Sequence, residues 1–247
     1  MIDKVSVTAL PSLFVISVPR SLSTLVHHQC CAALGLRSPG WTTAGEILNG
    51  ERLALTGEGP GPRFTQLDEA YLREQLFEFL DAVVRPAGHC YKDVVQPFVV
   101  AQWLARRSLP ALRIRRRLAD VACALECTGW RYPGHPGSPD DPDATLRGLL
   151  LASRALDAAP AQVLDFDELI FREDALREAL RPLYPNFAIP PIHFLDAAFA
   201  AHRDNILAQR QSARWSELDA RLSRLSERLP AGGAGAPPRQ EQGLPSR

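Results

Sequence analysis

The chain has 247 residues, 46% of them hydrophobic and 23% charged, with 28 basic residues matched by 28 acidic ones. A net charge near zero removes the long-range field on which general nucleic-acid and anionic-membrane binders rely, and the apolar fraction is too high for a disordered chain. Only two of the basic residues are lysines, Lys4 and Lys92, so any mechanism that needs a lysine has two candidates.

The length suffices for a single domain, expected over residues 1–230, whose core needs no staples. The longest apolar run, Leu13 to Val18, is far shorter than the roughly 20 residues of a membrane span. Asp3 stands near the start and no basic stretch precedes an apolar run, so no secretory signal is expected. Five cysteines (Cys30, Cys31, Cys90, Cys123, Cys127) are odd in number and lack paired CxxC spacing, which points to a reduced, cytoplasmic protein.

Leu13–Val18 is β-rich and almost continuously apolar, the pattern of a strand buried on both faces. The hydroxyl-rich break Pro19-Arg-Ser-Leu-Ser-Thr24 follows, then a helix over about Ser23–Leu36 closed by Gly35 and Pro39. Leu67–Val84 reads as an amphipathic helix with Leu72, Leu76, Phe79, Leu80 and Val83 on one stripe. Cys90–Val95 is a second strand, and Pro97 opens the next helix. A short third strand is expected over Leu112–Arg115, followed by a helix over Leu118–Cys127. The proline-rich stretch Tyr132–Asp143 is a loop, Thr145–Ala158 a helix and Gln162–Phe166 a fourth strand. Two or three helices fill the remainder to Leu229, and Ala231–Arg247 has the Gly, Pro, Gln and Arg content of a disordered tail. Strands separated by helices predict an α/β fold with a parallel sheet flanked by helices.

A buried strand, a tight polar loop and a helix start make an anion-binding arrangement, because the first helical amides have no intrahelical acceptors. Ser21, Ser23 and Thr24 add hydroxyls there, and Arg20 adds a planar cation suited to oxyanions. The GxxxxGK[ST] motif of a Walker loop is absent from the chain. A plain N-cap is the simpler reading of the same hydroxyls.

Phe14-Val-Ile-Ser-Val-Pro-Arg-Ser-Leu-Ser-Thr-Leu25 resembles the 5′-phosphosulfate loop of sulfotransferases, which use 3′-phosphoadenosine 5′-phosphosulfate (PAPS) and release PAP. It is similar to the branch with a Pro-Arg-Ser-Gly-Ser/Thr-Thr-Leu loop, differing at Leu22, where the family usually has Gly. The resemblance implies a P-loop nucleotide-kinase-like sulfotransferase fold and a nucleotide site at Arg20, Ser21, Leu22, Ser23, Thr24 and Leu25. In Thr43-Ala-Gly-Glu46, Glu46 falls where that branch places its catalytic base. Tyr91-Lys-Asp-Val-Val95 matches a strand that carries Lys-x-His in cytosolic members; Lys92 is retained, to neutralise the sulfuryl group, and Val94 replaces the histidine. Leu112–Leu125 resembles the 3′-phosphate segment, with Arg116 as its arginine and Ala124 at the usual serine position; register at Arg115 places Cys123 there instead. The Asp-Pro pair that normally follows is absent. Val163–Leu169 and Asp174–Leu180 resemble a late strand and helix of the family, with a structural role.

The implied activity is sulfuryl transfer from PAPS to a hydroxyl or amine, with Arg20 and Lys92 stabilising charge and Glu46 taking the proton. Residues Pro39–Arg63 and Tyr132–Asp143, with Trp41, Trp130 and Tyr132, suit a small organic acceptor such as a bacterial natural product. Two alternatives stay open: a catalytically degenerate relative that binds a nucleotide or partner, and a small phosphotransferase with an atypical phosphate loop. No metal site is expected, because His27, His28, Cys30 and Cys31 lie consecutively on one helix without a second ligand cluster. Asp165 and Asp167 alternate at a strand end but have no Walker lysine to make them magnesium ligands.

Overall fold

The computed structural model describes residues 9–39, 46–48, 70–130, 132, 141–192 and 197–229. Strand β1 (Leu13–Ser17) is buried at every residue and lies inside a four-stranded sheet of order β2-β1-β3-β4, with β2 at Cys90–Asp93, β3 at Ala111–Arg115 and β4 at Gln162–Asp165. All three strand pairings are parallel, with Val15 opposite both Lys92 and Leu112, and Arg115 opposite Asp165.

The two-residue period of β1 sends its side chains into two separate cores. Phe14 and Ile16 join the buried residues of helices α2 (Ala70–Val83), α3 (Pro97–Leu104), α4 (Leu118–Cys127), α5 (Ala144–Asp157) and α9 (Ala213–Arg228). Leu13 and Val15 face the opposite layer, built from α1 (Ser23–Leu34), α6 (Phe166–Phe171), α7 (Ala175–Leu180) and α8 (Ala197–Arg210). Burial of this kind contributes about 1.5–3 kcal/mol for each fully enclosed large apolar side chain. Phe14 carries the first core's centre, its ring 5.9 Å from that of Tyr91 and 6.0 Å from that of Trp103.

Local chemistry sets the helix ends. Gly35 closes α1 at φ 64°, a left-handed conformation that costs glycine nothing. Ser212 caps α9 by accepting the Trp215 amide at 3.1 Å, and Leu218, Leu222 and Leu225 then place one apolar stripe in the core.

The sequence expectations hold for all four strands, with earlier ends in β1, β2 and β4. Asp93 ends β2 before Val94, because its Oδ1 accepts the amides of Val95 and Gln96 at 2.8 Å each and folds the chain into a turn. Phe166 leaves β4 and starts α6, and after β4 there are four helices among the described residues rather than two or three. One of them, α7, is the late helix expected at Asp174–Leu180; the unexpected one, α6, is a six-residue segment that Arg172 in extended conformation separates from it, too short to leave a periodic pattern. No described helix is long and apolar enough to cross a membrane. The expected tail over 231–247 lies outside the described residues.

Candidate active site

The strand order reverses between β1 and β3. The chain leaves β1 toward β2 on one side, and leaves β3 toward β4 on the other, so their carboxyl ends open a crevice of the kind that holds ligands in parallel α/β sheets. A cavity of about 650 Å³ occupies that crevice. It is lined by the whole loop from Pro19 to Leu25, by Glu46, Val94 and Val95, and by Arg116, Ala124, Cys127 and Trp130.

The loop takes two residues into the left-handed region, Arg20 at φ 61° and Leu22 at φ 59°. Leu22 therefore adopts the backbone for which glycine is the usual residue, at a cost of about 1–2 kcal/mol. It precedes α1 without a side-chain cap, and the Val26 amide bonds its carbonyl at 3.0 Å. The amides of Ser23, Thr24 and Leu25 are left without intrahelical acceptors, which makes this helix start an anion acceptor in its own right.

Lys92 is fully buried and does not line the cavity; it sits behind the loop. Its Nζ donates to Thr24 Oγ1 at 2.8 Å and to Glu46 Oε1 at 2.8 Å, joining the loop helix, β2 and the segment at 46–48. That segment runs beside β2, with the Ile47 amide on the Lys92 carbonyl at 2.9 Å and the Leu48 amide on Asp93 Oδ2 at 2.9 Å. Glu46 is thus pinned through one oxygen, while Oε2 is buried with no hydrogen-bond partner among the described residues. Burial raises Asp93 to about 6 against its three amide donors, with the Glu46 charge adding to the rise.

Arg116 crosses the crevice. Its guanidinium donates to the Arg20 carbonyl, lies 4.3 Å from the Phe166 ring and is held by Asp120, 3.7 Å from its Nε. Burial lowers it to about 10, which leaves it a cation at neutral pH. Ala124 lines the cavity with it, and Cys123 does not. Its neighbours are turned elsewhere: Arg113 pairs with Asp157, Arg115 with Asp165 at 2.6 Å and Arg117 with Asp167 at 2.9 Å. The acids considered as magnesium ligands, Asp165 and Asp167, are taken by these arginines and by Arg210, 2.5 Å from Asp167.

One reading of the sequence needs correction. Tyr132, assigned to an acceptor wall, is fully buried in the first core and does not line the cavity. Trp130 does line it, with the Arg20 guanidinium 5.6 Å from its ring. Trp41 and most of the remaining proposed wall lie outside the described residues.

The far wall was missed. Helix α8 contributes His202, Asn205, Ile206 and Gln209 to the cavity. These positions follow the i, i+3, i+4, i+7 spacing of one helix face, but a mainly polar stripe reads in sequence as a solvated surface. His202 is held below its ordinary value, first by burial and then by the positive charge of Arg116 and Arg20. In comparisons with known proteins, no family model matches the chain and no curated protein matches it.

Proposed function

We propose that the chain is a PAPS-dependent sulfotransferase, moving a sulfuryl group to a hydroxyl or amine of a small organic acceptor. One observation carries this reading: Lys92 joins Thr24 of the anion loop to Glu46, which lines the same cavity as that loop with one carboxylate oxygen unpartnered. An acidic side chain fixed beside an anion loop suits transfer of an anionic group to an acceptor that must lose a proton. The four parallel strands, with the loop following the inner strand β1, support a P-loop nucleotide-kinase-like sulfotransferase fold. A cavity of about 650 Å³ falls within the range of small-molecule sites. The acceptor in this reading is a natural product.

In this mechanism the amides of residues 23–25 and the Arg20 side chain hold the phosphosulfate, and Arg116 the nucleotide's second phosphate. Lys92 fixes Glu46 through Oε1 and polarises Thr24. Glu46 Oε2 takes the proton as the acceptor oxygen or nitrogen bonds to sulfur. The bond from sulfur to the bridging oxygen breaks, and its electron pair stays on the released PAP. Loop amides and Arg20 stabilise that growing charge.

Glu46→Gln should lower turnover by roughly 10²–10⁴-fold while PAP still binds. Near-normal turnover in that variant would remove Glu46 from the chemistry. A second reading, a degenerate relative that binds nucleotide without transfer, is favoured by Leu22 in the left-handed region and by Ala124 where the family carries a hydroxyl. PAP that raises the melting temperature of a protein inactive on every hydroxyl and amine acceptor tried would select it. Stabilisation by ATP and not by PAP would select the phosphotransferase.

A further inference from the structure

A second group of reactive side chains lies at the far end of the loop helix, independent of the proposed transfer chemistry. His27 and Cys31 stand one turn apart on α1, and Cys90 opens β2. One nitrogen of His27 and the two sulfurs all lie within 4.8 Å of one another. The backbone fixes this approach: the Leu36 amide bonds the Cys31 carbonyl at 3.0 Å, and the Cys90 amide bonds the Arg37 carbonyl at 2.9 Å. The sequence alone sets His27 and Cys31 on a helix with no partner; the strand supplies the third group.

Two chemistries compete for such a trio, a thiophilic metal and a thiol pair. His27 decides between them. Its Nε2 lies 2.8 Å from the Cys90 carbonyl oxygen and 3.8 Å from Cys31 Sγ. A contact that short to a carbonyl requires the proton on Nε2, so the nitrogen facing the sulfurs is a donor. A metal would need that nitrogen bare, with the proton moved to Nδ1, which is buried and has no partner among the described residues. Metal-bound histidines ordinarily donate their second N–H to an acceptor. With its one proton committed to the Cys90 carbonyl, Nε2 has no lone pair to offer a metal, and the two sulfurs are left as a thiol pair.

The cysteines differ as attacker and resolver should. Cys31 is partly exposed, whereas Cys90 is fully buried beside it. The thiol of Cys31 is held well below its usual range by the Cys90 S–H that donates to it and by His27, while burial pushes Cys90 upward. Cys30, adjacent in sequence, is fully enclosed and pushed up by burial.

We propose that Cys31 and Cys90 form a redox-reactive pair, with a hydroperoxide as the oxidising substrate and a disulfide between α1 and β2 as the product. The Cys31 thiolate attacks the peroxide, whose O–O bond breaks; one oxygen leaves, with a proton, as water or alcohol, and Cys31 becomes a sulfenic acid. The Cys90 sulfur then displaces that hydroxyl, the S–S bond forms, and the Cys90 proton leaves with it as a second water. Two thiols are oxidised and one peroxide is reduced. Cys90 and Lys92 share a face of β2, so the new bond staples the loop helix to the strand that holds Lys92.

The test uses the full chain, reduced, freed of metal and treated with hydrogen peroxide, followed by alkylation and peptide mapping by mass spectrometry. The wild-type protein should lose two hydrogens and yield one linked peptide containing Cys31 and Cys90, while the exposed Cys127 is alkylated throughout. Cys90→Ser should trap Cys31 as a dimedone-reactive sulfenic acid, and Cys31→Ser should give no such product at Cys90. Mapping the wild type needs no variant, so a poorly folded substitution does not obscure the answer. Oxidation that appears first at Cys123 or Cys127 overturns the proposal. So does stoichiometric Zn²⁺ uptake by the reduced protein that Cys31→Ser or Cys90→Ser abolishes, because that result assigns the trio to a metal.

Discussion

The ion pair between Lys92 and Glu46 and the arginine–aspartate pair that joins β3 to β4 place the same kinds of charge in opposite surroundings. In the first, the two side chains are only 1% and 9% exposed. In the second, Arg115 and Asp165 stand 53% and 39% exposed, directly opposite one another in adjacent strands. The exposed pair gains little, because water solvates either partner alone nearly as well. The buried pair cannot be separated without leaving a bare charge in the interior. Density of basic residues in the sequence is therefore a poor guide to the site. The run at 113–117 is the most basic stretch, yet it is largely neutralised by facing aspartates, and Arg116 alone turns into the cavity.

The sharpest test of that contrast is Lys92→Met, which leaves the Glu46 carboxylate buried and unpaired. It should cost about 3–5 kcal/mol in urea unfolding. A loss no larger than that of Arg115→Ala would break the comparison. Next comes Asp93, a buried carboxyl held by three amides, with no ion pair among the described residues. Its folded value of about 6 exceeds the ordinary 3.8, so the folded state binds the proton more tightly than the unfolded chain. Its contribution to stability is therefore greatest in acid and declines as pH rises through the window between those values. Relative to Asp93→Asn, the wild type should lose on the order of 2–3 kcal/mol from pH 4 to about pH 6.5. A constant difference between the two proteins across that range would contradict the assignment.

A smaller effect isolates backbone from charge at the loop. Arg20→Ala and Arg20→Gly remove the same guanidinium, but only glycine accepts φ 61° without strain. The glycine variant should be the more stable of the two by about 1 kcal/mol in denaturant titration. The smallest effect belongs to Arg115→Ala, expected to change stability by less than about 1 kcal/mol and to fade further at high salt.

The strands were legible because burial on both faces leaves continuous β-branched and apolar runs, as in Leu13–Val18. The loop at 19–25 was legible for a different reason: its residue types announce a helix start with hydroxyls and a cation. Its left-handed residues were not, since Arg and Leu ordinarily avoid that conformation. Tyr132 was misread because aromatic residues in a Pro-Gly stretch resemble a binding wall whether they face ligand or core. The α8 wall and the Cys31–Cys90 approach were invisible for a shared reason. Both depend on which face of a helix meets which distant strand, and spacing along the chain does not encode that.

Asp120 has a further consequence. Fully buried, it receives the Trp215 indole N–H at 2.7 Å and Arg210 at 2.6 Å while holding Arg116. The cation at the heart of the crevice is thus positioned by residues nearly one hundred places later in the chain, on α8 and α9. A fragment that ends before α8 lacks the groups that hold this cation in place. During synthesis the anion loop, β1 and β2 emerge long before the segments that fix Arg116, so the site is completed only when the last two helices dock.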